Sequence, residues 1–196
     1  MSQLAQQLIE QEKAERTGYL DLGNCGLTQL PDLSELSWLH TLIASSRWYE
    51  FDPTKNKWQR FESKNTGPKN IIDPPEEPLP LSLKKIVLRD CHISDARFLQ
   101  KLSKLTSLDL RSNQISDASF LEKLSKLTSL DLSGNRISDA SFLEKLSKLT
   151  SLDLRSNQIS DASFLEKLSN LTSLDLSDNQ ISDASFLEKL SKLTSL

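Results

Sequence analysis

The chain has little of what most functional classes require. Two cysteines in 196 residues cannot build a disulfide framework. Two histidines, with no H-E-x-x-H and no paired-cysteine spacing, suggest neither a metal centre nor any other cofactor. No run approaches the ~20 apolar residues of a membrane span, and the mean hydropathy is −0.41. The opening residues, Met1 to Gln7, have neither the basic start nor the apolar stretch of a secretory signal. A basic excess is missing too: 24 Lys and Arg face 27 Asp and Glu, a net charge of −3. That balance argues against nucleic acid and membrane surfaces as partners. The expectation is a soluble cytoplasmic protein with reduced thiols.

What the chain does have is repetition. From Leu105 it reads LTSLDLRSNQISDASFLEKLSK, and the 22-residue unit recurs from Leu127, Leu149 and Leu171. A fifth copy breaks off at Leu196, a looser one starts at Leu83, and the loosest starts at Thr17. A period of this length, repeated this often, predicts a solenoid in which each copy is one supersecondary unit.

Within each unit, L-x-x-L-x-L-x-x-N-x-I runs through Leu105, Leu108, Leu110, Asn113 and Ile115. This pattern resembles the leucine-rich-repeat family, in the 22-residue class of internalins and of a protein-phosphatase regulatory subunit. Ala118 and Phe120 depart from that class, which more often has a larger aliphatic residue and a proline there. The resemblance implies an α/β solenoid: a parallel β-sheet on the concave face, 3₁₀ or short helical turns on the convex face, and a role in binding other proteins. The secreted-adhesin role of internalins is not implied, because an export signal is missing here.

The residues support that architecture independently. Leu108 and Leu110 alternate with Ser107, Asp109 and Arg111, which predicts a short strand with one buried face. Beyond Ile115 the apolar step becomes three, through Ala118, Leu121 and Leu124, which suits a 3₁₀ turn with Ser116 or Asp117 as its cap. Asn113, Asn135, Asn157 and Asn179 fall at the bend after each strand, and Phe98, Phe120, Phe142, Phe164 and Phe186 form a core column. Cys25 and Cys91 occupy the asparagine position of their own copies, too many rungs apart to pair.

Four stretches follow. Residues 1–16, with Ser2 as cap, Gly18 as stop and a stripe of Leu4, Ala5, Leu8 and Ile9, predict an N-terminal capping helix. Residues 17–44 hold the first repeat units, and 83–196 the regular ones. The last is truncated, which reads as a piece of a longer chain. Between them, residues 45–82 break the rule. Arg47 stands where an asparagine is due, and Arg47 to Phe61 reads as an aromatic β-hairpin with a Pro-Asn turn. Five of the seven prolines then lie between Pro68 and Pro80. Leu39 to Leu83 spans 44 residues, room for one swollen repeat or two eroded ones.

Catalysis finds no constellation. His92 beside Cys91 and Asp90 is strand chemistry rather than a dyad, and Gly18 and Gly23 are not followed by the lysine of a phosphate loop. No small-molecule substrate is suggested, and the chain reads as a non-enzyme. Two places remain for a protein partner. One is the hairpin, with Trp48, Tyr49 and Trp58, beside the odd rung of Lys85, Val87 and Arg89; clustered aromatics next to arginine resemble binding anchors. The other is the concave face, where Asp109, Asp131, Asp153 and Asp175 form a column neutralised by Arg111 and Arg155, open to a basic segment. The partner is another protein or a further domain of the same parent chain. Arg16 to Leu22 and Leu27 to Pro31 also resemble the start of the repeat region in bacterial Roco-type proteins. That alternative implies the recognition arm of a signalling GTPase.

Overall fold

The computed structural model describes residues 2–52, 54 and 57–195, excluding the side chains of Glu50, Phe51, Asp52, Lys57 and Trp58. Helix α1 (Gln3–Glu15) leads into strand β1 (Tyr19–Asp21), then β2 (Thr41–Ile43), β3 (Arg47–Asp52) and β4 (Lys57–Glu62). The regular rungs follow: β5 (Lys85–Val87), β6 (Ser107–Asp109), β7 (Ser129–Asp131), β8 (Ser151–Asp153) and β9 (Ser173–Asp175). Among the described residues, five 3₁₀ turns line the opposite side, including Ser119–Lys123 and Ser141–Lys145. The sheet order is β1-β2-β5-β6-β7-β8-β9, all parallel, with β3 and β4 as a separate antiparallel hairpin.

Each strand is three residues long because only its central leucine faces the core. Leu108, Leu130, Leu152 and Leu174 stand in register and are all buried. The turns close the other wall: Phe120, Phe142, Phe164 and Phe186 are buried, and Asp117 Oδ1 accepts the Ser119 N–H at 2.9 Å, holding the entry to the turn. Serines stand in a left-handed conformation after β6 and β8, at Ser112 (φ 54°) and Ser156 (φ 55°). The intervening copy has Gly134 at that position, φ 65°, where a missing Cβ relieves the strain.

The asparagine ladder ties rung to rung. Asn135 Nδ2 donates to Leu110 O at 3.0 Å and to Leu132 O at 2.9 Å, while its Oδ1 accepts the Ile115 N–H at 3.0 Å. One amide thus satisfies three buried backbone groups from two copies. Asn135→Ala is expected to cost about 1–3 kcal/mol in urea unfolding, the penalty of stranding those groups.

At the second rung the same role falls to Asn70. Its Nδ2 donates to Leu22 O and Ala44 O, both at 2.8 Å, and its Oδ1 accepts the Leu27 N–H at 2.8 Å. β2 pairs directly with β5, so the 44 residues from Leu39 to Leu83 occupy a single rung with the hairpin looped out before Asn70. The hairpin runs in the register Trp48↔Phe61. Its Pro-Asn turn falls on Pro53 and Asn56, which lie outside the described residues.

The helix covers the N-terminal end of the stack. Ser2 Oγ accepts the Ala5 N–H, and Ala5 and Ile9 are buried against the first rung. The helix ends on Arg16 itself, in a left-handed turn (φ 50°), two residues before the expected glycine. Glu12 explains the early stop: it is buried and accepts from Thr17 N, Gly18 N and Trp38 Nε1, fastening the chain as it leaves the helix. No helix among the described residues is long and apolar enough to cross a membrane.

Candidate concave-face docking site

Three side-chain columns line the concave face, one for each outward position of a strand and its exit. The middle column reads Asp21, Ile43, Val87, Asp109, Asp131, Asp153 and Asp175 along the stack. It is aliphatic at two rungs only, and there the hairpin lies on the sheet. Trp48 packs on Ile43 and Val87 in a small second core and stacks on Phe61 at 5.7 Å, with ring planes 14° apart. The odd rung is therefore the seat of the hairpin.

This corrects part of the expectation. Trp48 and Val87 are 6 % and 2 % exposed. They hold the hairpin down and offer no contact surface, because the indole and the isopropyl group bury one another. The Trp58 side chain lies outside the described residues. Lys85 is half-buried at the start of β5. Tyr49, next to Trp48, points the other way. Its ring carries the Arg89 guanidinium 4.8 Å from the centroid, and Arg89 is buried beneath it.

The aspartate column is not the solvated face its sequence suggests. Asp109, Asp131 and Asp153 are buried, because each carboxylate folds back onto its own strand exit. Oδ1 of Asp109, Asp131 and Asp153 accepts the N–H of Arg111, Ser133 and Arg155, respectively, at 2.9–3.0 Å. Arg155 then bridges two rungs, with Nη2 3.1 Å from Asp153 Oδ2 and Nη1 3.6 Å from Asp175 Oδ2. Burial pushes Asp131 up to about 7, with the neighbouring Asp109 charge adding to it and the Ser133 bonds opposing. Burial likewise raises Asp109 and Asp153, each to about 6.

The sign of the resulting pH dependence is definite. A carboxyl raised in the folded state binds a proton that the unfolded chain has already released. These three aspartates therefore favour folding most at acid pH, and their contribution is lost as pH rises from about 4 through 7. The exposed turn aspartates oppose this at the acid end. Asp117, held below its usual range by the Ser119 hydroxyl and N–H, stabilises above pH ~4 and loses that below it. Thermal melts should thus peak near pH ~5, with a fall of roughly 3–10 °C by pH ~8, for a penalty of ~1–3 kcal/mol. Asp131→Asn should flatten that slope; a profile equally steep in the variant would show that Asp131 does not generate it.

Tyr49, Arg111, Asp131, Asp153, Arg155 and Asp175 together line a cleft of about 290 Å³. The two places that the sequence kept apart, hairpin and aspartate column, thus meet in one site. A larger hollow of about 510 Å³ lies between α1, β1 and the hairpin, with Tyr19 and Phe61 partly exposed in it. On its rim the Gln11 amide donates to Glu15, and Glu62 pairs with Arg60 outside the hollow. Among the described residues no group of three His, Cys, Asp or Glu side chains is placed to hold a metal. Burial raises the Cys25 thiol to about 11 and the Cys91 thiol to about 12, so neither is a nucleophile at neutral pH.

Comparison with known proteins agrees with this geometry. A model of paired leucine-rich repeats matches residues 81–123 and 125–167, and a single-repeat model matches 167–185. No curated protein sequence is significantly similar. Among solved structures, an internalin C2 from Listeria monocytogenes is 29 % identical and superposes with a TM-score of 0.67, covering 100 % of this chain and 93 % of its own. A second Listeria internalin is 28 % identical at a TM-score of 0.59 over 85 % of this chain, which spans only 50 % of that protein. A plant peptide hormone receptor in complex with RGF2 is 29 % identical at 0.54, over 60 % of this chain and 20 % of the receptor.

Proposed function

Because the chain belongs to the leucine-rich-repeat family, we propose that it is a non-catalytic protein-interaction scaffold whose partner docks on the concave face, from Tyr49 to Asp175. The observation that carries this reading is the meeting of Tyr49 with the aspartate–arginine ladder. The repeats from Leu105 onward are nearly identical, so the ladder alone offers a ligand no preferred register. Tyr49 marks one end of it and supplies the aromatic anchor typical of binding hot spots. The plant receptor offers a precedent for a repeat solenoid solved as a complex. A further domain of a longer parent chain is one form such a partner can take.

The test is a site-specific one. A photo-reactive phenylalanine analogue at Tyr49 should cross-link the partner, and the same group at Lys167, on the convex side, should not. With the captured partner in hand, Tyr49→Ala and Arg155→Ala should each weaken binding about tenfold or more, 1.4 kcal/mol or above. Binding that survives both changes and falls on Lys145→Glu would move the interface to the convex turns.

A further inference from the structure

The hairpin has two faces: Tyr49 looks onto the aspartate ladder, while Trp48 and Phe61 line the hollow of about 510 Å³ shared with α1 and β1. That hollow is apolar where the rest of the concave face is polar. Tyr19 opens β1 at a position held by Thr41, Lys85, Ser107 and Ser129 on later rungs, and it is 45 % exposed. Phe61 is 37 % exposed although it stacks on Trp48, and half-buried Leu8 of α1 lines the same wall. Four large hydrophobic side chains are exposed among the described residues, and two of them share this one concavity. Apolar surface gathered in a hollow and rimmed by polar groups marks an interaction site. The volume lies within the ~300–1,000 Å³ of binding pockets, enough for a large side chain with its flanking backbone.

The charge around the hollow chooses the occupant. Glu12, Glu15, Asp21 and Glu62 line it against a single cation, Lys64. Only neutral donors reach Glu12 and Glu15: Thr17, Gly18 and Trp38 for the first, the Gln11 amide for the second. Glu62 is answered by Arg60, and Asp21 has Lys64 close by. The two cations at this end of α1 are committed elsewhere, Lys13 to Glu10 and Glu35, and Arg16 over the Trp38 ring. The rim is therefore two positive charges short. The helix also presents its C-terminal turn here, the end whose carbonyls favour cations.

We propose that this hollow is a second docking site, for a basic segment of a partner protein that sets one aromatic side chain against Tyr19 and Phe61. Lysines or arginines on either side of that ring lie along Glu15, Asp21 and Glu62. The aromatic walls give the ring offset or edge-on partners. The long basic side chains rest their carbon stems on the apolar rim and hold their charges at the carboxylates. The acidic rim repels an equally apolar segment of the wrong sign. This site stands independently of the ladder reading, because the two lie on opposite faces of the hairpin.

The probe is acetyl-Lys-Phe-Lys-amide, with acetyl-Lys-Ala-Lys-amide and acetyl-Glu-Phe-Glu-amide beside it, titrated into the full chain and followed by amide NMR. The Lys-Phe-Lys peptide should shift the amides of β1 and of the last turn of α1, and its affinity should fall as salt rises. Loss of the ring in Lys-Ala-Lys should weaken binding about tenfold or more, and Glu-Phe-Glu should not bind. Tyr19→Ser restores the residue type of later rungs, so circular dichroism should show it folded; its affinity should drop about tenfold or more. Glu15→Gln keeps an acceptor for Gln11 and should weaken binding about threefold, with a flatter salt dependence. Lys167→Gln, on the convex side, should leave the affinity as it is. Equal affinity for Lys-Phe-Lys and Lys-Ala-Lys would reduce the site to a charged surface and overturn the inference. So would binding of Glu-Phe-Glu, a folded Tyr19→Ser that binds as before, or no binding of any peptide. A dimer in sedimentation that Tyr19→Ser returns to monomer would put a second copy in the hollow and remove the basic segment.

Discussion

Leu130→Ala should lower stability by about 2–5 kcal/mol in urea unfolding, among the largest effects of any single truncation in the chain. Leu130 is 1 % exposed and sits in register between Leu108 and Leu152, with Leu127 and Leu132 buried on either side of it. The cavity cannot close, because the spacing of the rungs is set by backbone bonds on both sides, such as Thr128 N to Thr106 O and Leu132 N to Asp153 O. The loss should therefore include the cavity as well as the transfer of the missing carbons. Since each rung contacts only its neighbours, the damage should also lower the cooperativity of unfolding. Leu130→Met, close in volume, should cost under ~1.5 kcal/mol. Equal losses for both would mean that the site tolerates neither change in shape nor loss of volume.

Trp48→Ala should act locally and strongly. Removal of a buried indole costs about 3–5 kcal/mol, and here the loss should fall on the hairpin. The Trp48–Phe61 stack disappears, Ile43 and Val87 are uncovered, and Tyr49 is no longer held over Arg89. Hydrogen exchange should show β3 and β4 opening while β6 to β8 keep their protection, because Trp48 packs on Ile43 of β2 and Val87 of β5. Partner binding should drop through misplacement of Tyr49, and Trp48→Phe should restore much of it. If β4 amides stay protected in Trp48→Ala, then the bonds of Ser63 and Asn65 to the Asp21 region hold the hairpin alone.

The solenoid was legible in the sequence because each rung repeats one rule: Leu108, Leu110, Asn113 and Ile115 return every 22 residues, and each position has one place to go. Asn70 was not. Its Asn-x-Ile signature is intact at Asn70 to Ile72, but it stands among prolines, 26 residues after Ala44 instead of three. Local pattern reading has no means of closing that gap. The hairpin's seat left a fainter signal. Ile43 and Val87 are apolar in a column that is otherwise aspartate, and an apolar residue on a polar face implies a cover. The orientation of Tyr49 followed only from that seat, since the side of a hairpin that faces a sheet depends on how its stem is fastened.

The strict register of the rungs makes the length of the array a free variable and its parity a fixed one. The strand-exit column alternates as Arg111, Ser133, Arg155 and Ser177, so the chemical unit is two rungs although the structural unit is one. An in-frame duplication of 44 residues beyond Asp175 would extend the array by about 9.6 Å and leave every interface as it was. A single 22-residue insertion between Asp109 and Asp153 would fold equally well, yet it would place arginine beside arginine or serine beside serine at the strand exits. Genes built from tandem copies gain and lose units easily. Here the leucines are indifferent to an odd change in copy number, and the charges are not.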